Sequence, residues 1–262
     1  WVMKGTPSRI DRELGVIYAL WLRDMFRLRS ERTRWLGVVL QPALFWLLIG
    51  TGMGDLFQFQ GAEGWDYRSY FFPGILIMIV LFTTIFATIS VIEDRQSGFL
   101  QGVLVSPTSR FALVMGKTAA VTTIVLIQAA LFLLISPFAG FQFGDINWFY
   151  LVVALVLTSC ALTFINLSMA WIMDSVAAYH AVMSMVTLPL WFVSGAMYPA
   201  PETGWLAVVM KFNPMTYMVR GTRLAMDGPG VEGMSYGVAP TLLVLLLVTL
   251  VSAAFAVRVC QR

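Results

Sequence analysis

Apolar residues fall in six runs near 20 residues long, at 35–53, 70–92, 112–136, 148–173, 180–198 and 238–257. A helix needs about 20 apolar residues to cross a bilayer, so each run predicts a transmembrane span. Barrel strands alternate apolar and polar positions over about ten residues, and these unbroken runs do not. The third run is polar at its start around Lys117, so its crossing part is expected to begin nearer Thr118. The stretch 205–226 is partly apolar, but Lys211, Pro214, Arg220 and Arg223 interrupt it, and no crossing is expected there.

Ahead of the first run the pattern changes period. Ile10, Leu14, Ile17, Tyr18, Trp21, Met25 and Leu28 recur at helical spacing, with Arg9, Arg12, Arg23 and Arg27 off that stripe. This predicts an amphipathic helix lying in the membrane surface, its basic side suited to anionic headgroups. The competing reading is a soluble helix packed on another part of the protein. The expected fold is therefore all-α and polytopic. It comprises an interfacial helix within 1–34, six spans across 35–257 and a short tail at 258–262.

Composition supports this class. Hydrophobic residues make up 59% of the chain and charged residues 12%, about half the share in soluble domains. A water-soluble globule is excluded. The net charge of +3 is small, and no nucleic-acid partner is expected. Its placement matters more. With six spans both termini share one side, and that side holds thirteen of the Lys and Arg residues against four on the other. Both termini are expected in the cytoplasm. Tyr67, Tyr70, Trp148, Tyr198 and Tyr236 would mark the outer boundary, and Trp35 and Trp171 the inner one. The opening residues are polar and basic, so no cleavable signal peptide is expected.

Candidate chemistry is sparse. The inner segment 93–110 opens Glu93-Asp94-Arg95-Gln96-Ser97-Gly98. Phe99, Leu100, Val103 and Leu104 then follow at helical spacing, until Pro107 ends the turn. A short helix with apolar residues facing away from lipid suits the groove of a soluble partner. Glu93, Asp94 and Arg95 would secure it by mutual ion pairing or bind the partner directly. The outer segment 199–237 reads as two short helices that dip into the membrane and return, broken at Pro214.

Polar residues within the spans, Gln41, Thr83, Thr84, Gln128, Asn166, Ser184 and Thr187, would mostly join helices. A minority would line a path, for which Gln41, Phe45, Phe82, Thr83, Thr187 and Phe192 are the candidates. No Asp, Glu, Lys or Arg is expected inside a span, which disfavours a proton-coupled pump. Gly116-Lys117-Thr118 resembles the end of a phosphate-binding loop, but Phe111 stands where that motif needs glycine. One histidine and two separated cysteines offer no metal site and no disulfide. No catalytic residue is assigned, and no cofactor is expected in this chain.

Three motifs resemble the membrane subunits of type-2 ABC exporters. One is Glu93-Asp94-Arg95-Gln96-Ser97-Gly98 followed by Leu104-Val105-Ser106-Pro107 and Gly116-Lys117. Another is Leu188-Pro189-Leu190-Trp191-Phe192-Val193-Ser194-Gly195 with Tyr198-Pro199, and the third is Asn213-Pro214 with Tyr217. The resemblance covers nearly the whole chain and identifies it with a drug, polysaccharide and lipid-linked polymer exporter group. It implies a pore of two membrane subunits, here a homodimer, each served by a separate cytosolic ATPase that binds ATP and Mg. It further implies that 93–107 includes the coupling helix, and that spans one and five meet their mates across the dimer axis.

The expected function is ATP-driven export of an amphipathic or lipid-like molecule, such as a hydrophobic drug, across the plasma (inner) membrane. Polysaccharide export is the alternative within the group. A membrane-embedded lipid-modifying enzyme is the alternative of another class, with Asp174 and His180 as its only candidate pair.

Overall fold

The computed structural model describes residues 9–53, 66–98, 109–199, 201, 203–226 and 237–261. Among these residues the regular structure is entirely helical. In chain order the helices are α1 (Arg9–Ser30), α2 (Arg32–Gly52), α3 (Tyr67–Gln96), α4 (Arg110–Leu133), α5 (Trp148–Ile172), α6 (Val176–Phe192), α7 (Trp205–Phe212), α8 (Pro214–Ala225) and α9 (Val238–Gln261). A 3-10 turn, Ser136–Ala139, follows α4.

Polar residues at the helix starts set the boundaries. Ser109 accepts a hydrogen bond from the Ala112 amide at 3.2 Å, Asn147 from Tyr150 at 3.1 Å, and Ser175 from Ala178 at 3.1 Å. Each satisfies an amide that has no partner within its helix. Asn213 does the same for Met215 at 3.0 Å, and Pro214 supplies a first residue that needs no donor.

The core is built around α3, which is buried almost from end to end. α2, α4, α5 and α8 pack on it, and α9 covers α5 and α8. α1 lies along α4. Its buried side includes Asp24, while Ile10, Leu14 and Tyr18 of the predicted stripe stay exposed. Large apolar side chains also stay exposed on α2, α6 and α9, as lipid-facing or partner-facing surfaces require.

Four helices among the described residues, α3, α4, α5 and α9, are long and apolar enough to cross a membrane. The first and fifth predicted spans correspond to shorter apolar helices, Leu36–Gly52 and Val176–Phe192. A 17-residue helix reaches about 26 Å at 1.5 Å per residue, against a hydrocarbon core of about 30 Å. The fifth was expected at 180–198. It begins earlier because Ser175 caps it, and it ends at Phe192 as the backbone turns toward Gly195, whose φ is +82°.

Helix α4 starts at Arg110, ahead of the crossing part expected from Thr118, and carries Lys117 two turns in. A charge therefore sits inside the helix bundle. Lys117 is only 6% exposed, and the helix tolerates it because its ammonium group has two partners, described below.

Within 199–237 two short helices do form, α7 and α8, broken at Asn213–Pro214. Arg223 on α8 is buried. The turn between α5 and α6 is as brief as the sequence suggests, spanning Met173 to Ser175. Residues 99–108, 227–236 and the first eight lie outside the described residues.

Candidate functional site

Two places hold the predicted site residues. The first is a groove of about 670 Å³ between α2 and α3. Gln41 and Phe45 line it from α2, and Phe82 from α3, with Gly37, Leu44 and Phe86 beside them. Four residues per helical step put Gly37, Gln41, Phe45 and Ile49 on one face of α2, and this face looks across to α3. The lining is apolar apart from Thr33 and Gln41. Such a surface takes an apolar or amphipathic body and offers it one amide to orient a polar group.

The other path candidates lie elsewhere. Thr83 is fully buried and donates to Gln128 Oε1 on α4. Thr187 is buried on α6, and Phe192 is exposed at the end of that helix. Of the remaining polar candidates, Thr84, Gln128 and Asn166 join helices, as expected of polar groups without water, while Ser184 is exposed on α6. Asn166 Nδ2 donates to Thr84 Oγ1 at 2.9 Å, and the Thr88 and Tyr179 hydroxyls meet at 2.6 Å.

The second place is the C-terminal end of α3, where the predicted coupling segment begins. Mutual pairing of Glu93, Asp94 and Arg95 does not describe this corner; each reaches another element. The Asp94 carboxylate accepts from Arg23 on α1 at 2.7 Å, and Glu93 accepts from Arg27 of the same helix. Burial works against the Arg27 charge, but hydrogen bonds to Glu31 and Glu93 outweigh it and raise the guanidinium pKa above its ordinary value. Three residues apart on a helix would leave Glu93 and Gln96 on one face, yet Arg95 and Gln96 both turn to the α5–α6 connection. Arg95 Nη1 donates to the Trp171 carbonyl at 2.7 Å, and its Nη2 to the Met173 carbonyl. Gln96 Nε2 donates to the Asp174 carbonyl at 2.9 Å. Arg95 thus satisfies carbonyls at the end of α5 that have no partner within their helix.

Gly98 ends this corner in the left-handed region, φ +78°, with open space around its Cα. Glycine adopts that turn at no steric cost. Phe99, Leu100, Val103, Leu104 and Pro107 lie outside the described residues.

Between α1, α3 and α4 sits a cluster the sequence pattern did not reveal as one. Lys117 Nζ donates to Asp24 Oδ2 at 2.5 Å and to Ser90 Oγ at 2.6 Å. Asp24 is 5% exposed. A signal was present: Asp24 stands three residues after Trp21 and four before Leu28, so a carboxylate sits on the flank of an apolar stripe. Spacing alone names no partner for it.

Asp174 and His180, the enzyme alternative's pair, have ordinary structural roles. Asp174 meets Arg95 at 3.4 Å, and the His180 ring lies 5.4 Å from that of Phe86. Among the described residues no group of His, Cys, Asp and Glu could hold a metal ion.

A bundle of long apolar helices, with polar groups turned inward and an open apolar groove, defines a multi-pass helical membrane protein. The ABC-2 type transporter family model matches residues 15–226, and the chain belongs to that family of transport permeases. It is similar to a putative transport permease, ycf38, of Cyanophora paradoxa, 26% identical over 215 residues that cover 79% of this chain and 72% of the relative. The ycf38 protein of Pyropia yezoensis is 25% identical over 71% of this chain and 65% of its own length. A daunorubicin resistance ABC transporter permease protein, DrrB1, of Streptomyces coeruleorubidus is 23% identical over 85% of this chain and 78% of that relative.

Proposed function

We propose that two copies of this chain form the membrane pore of an ATP-driven exporter, with one cytosolic ATP-binding cassette subunit under each copy. The partner binds ATP and Mg and supplies the work; this chain supplies the path. Six helices cross the plasma (inner) membrane in this reading, α2 and α6 among them, and both termini face the cytoplasm. Helices α7 and α8 dip into the outer leaflet. The segment 93–110 docks on the ATPase through Phe99, Leu100, Val103 and Leu104. The substrate is an amphipathic or hydrophobic molecule.

The groove between α2 and α3 carries this reading. Its volume suits a drug-sized body, since ligand pockets run about 300–1,000 Å³. Its lining offers no titratable side chain, so a substrate held there would be recognised by its apolar surface. The name of the Streptomyces relative, a daunorubicin resistance permease, points to the same chemical class. The exposed apolar faces of α2 and α6 support pairing with a second copy.

The test fills the groove. A Cβ placed on Gly37 meets no atom within 4 Å, so Gly37→Trp adds bulk into open space without disturbing the core. ATP-dependent daunorubicin uptake into inverted vesicles, with the ATPase subunit co-expressed, is expected to fall to the no-ATP level. Uptake at the wild-type rate would remove the groove from the path. No ATP-dependent uptake by the wild type would overturn drug export.

A further inference from the structure

We propose that the buried Asp24–Lys117–Ser90 cluster pins α1 to α3 and α4, so that α1 carries motion of the coupling segment to α2 and its groove. This inference rests on the transporter reading above.

Three observations build it. The cluster spans three helices: Ser90 belongs to α3, Lys117 to α4 and Asp24 to α1. Both Lys117 bonds are short, and both charged groups are buried. Arg23, next to Asp24, bridges onward to Asp94 one turn along α3, which closes a ring of contacts through all three helices. A charge pair out of water persists only when geometry and further hydrogen bonds compensate its desolvation. This one has both.

Next to Lys117 the helices touch at the backbone. A Cβ on Gly116 would lie 3.2 Å from the Ile17 Cα, the Ile17 carbonyl oxygen and the Leu20 Cβ. Gly116 therefore lets α1 approach α4 more closely than a side chain would permit, and Lys117 locks that approach from the adjacent position. The pair of residues acts as a saddle and a bolt.

The third observation is connectivity. α3 ends at Gln96 and α4 begins at Arg110, so both flank the coupling segment. α1 and α2 are separated by Glu31 alone, and α2 forms one wall of the groove. A displacement of the α3–α4 corner must therefore drag α1, and α1 can pull α2 across a joint of one residue. Beside the pin, the half-exposed pairs Arg23–Asp94 and Arg27–Glu93 and the Trp21–Thr123 bond also hold α1 to the corner, and α2 packs directly on α3 and α4; the pin is the buried charged tie among them.

The experiment uses the complex of this chain with its co-purified ATPase in nanodiscs. Spin labels on unnatural amino acids at the exposed positions Leu48 of α2 and Leu131 of α4 report the distance with and without ATP–vanadate. Asp24→Leu/Lys117→Met removes both charges together, since such replacement preserves packing and leaves no lone buried ion. The pin predicts that this variant hydrolyses ATP but loses the nucleotide-dependent distance change. Loss of the change is expected to be reversed by the charge swap Asp24→Lys/Lys117→Asp. An unchanged shift in the double variant would overturn the pin.

If the double variant fails to assemble, a disulfide decides. Leu20→Cys/Gly116→Cys, in a Cys160→Ala/Cys260→Ala background, ties α1 to α4. A rigid unit must keep its full distance change when oxidised; a change abolished on oxidation and restored on reduction would overturn the pin. A wild-type complex with no nucleotide-dependent change would remove the transporter reading, and the pin with it.

Discussion

The guanidinium carbon of Arg223 lies 4.1 Å from the centroid of the Tyr70 ring, and its Nη2 donates to the Tyr70 carbonyl at 3.2 Å and the Gly195 carbonyl at 3.1 Å. The Tyr70 hydroxyl also donates to Gly195, at 2.8 Å. One arginine thus ties the start of α3, the turn after α6 and helix α8 into a single corner.

Arg223→Leu removes a desolvated cation–π contact, worth about 2 kcal/mol, and hydrogen bonds from a charged group at about 1.5–3 kcal/mol. Unfolding in detergent, followed by tryptophan fluorescence, is expected to show a loss of roughly 3 kcal/mol. Arg223→Lys keeps the charge but loses the planar fork, and recovers only part of that loss.

The Asn166–Thr84 bond joins α5 to α3 in the buried interior. Interhelical bonds of this kind in membranes contribute about 0.6 kcal/mol on average and about 1.7 at most. A double-mutant cycle of Asn166→Leu and Thr84→Val is expected to give a coupling energy in that range. A coupling of zero would mean that each group finds another partner.

Arg95 and Asp174 form an ion pair whose two ends differ in value. The Asp174 side chain is 99% exposed, and exposed pairs contribute little. Asp174→Ala is expected to be nearly neutral. Arg95→Ala leaves the Trp171 and Met173 carbonyls without their donor, at about 1–3 kcal/mol for an unsatisfied group. Comparing the two in one unfolding assay separates the ion pair from the carbonyl contacts.

Gly116 should tolerate little. Alanine there places its Cβ at 3.2 Å from the α1 backbone, and a small outward shift of α1 is the expected response. Gly116→Val adds two methyl groups to the same gap, and overpacking of this kind costs about 1–3 kcal/mol. Protease sensitivity at the α1–α2 joint, read by limited proteolysis, is expected to rise from the wild type through alanine to valine.

Much of the architecture was legible in the chain itself. Hydrophobic run length is a one-dimensional property, so the apolar helices, the break at Asn213–Pro214 and the brief α5–α6 turn could be read directly. Run length does not give helix length, because ends depend on caps and turns. Ser109 started α4 well before its apolar part, and the turn at Gly195 shortened the fifth run. The groove was legible only in part: Gln41, Phe45 and Phe82 share it, while Thr83 lies buried against Gln128.

By itself the sequence determined that this protein is a bundle of apolar helices, since a chain so poor in charge can satisfy its backbone only within its own segments. Tertiary structure alone decided which charges are tolerated inside it. Lys117 finds Asp24 and Ser90, Arg223 finds Tyr70 and Gly195, and Arg95 finds the end of α5. These partners lie 27 to 153 positions away in the chain, on elements whose rotation no periodicity specifies. Burial of a charge is paid for by geometry, and geometry exists only once the helices have packed.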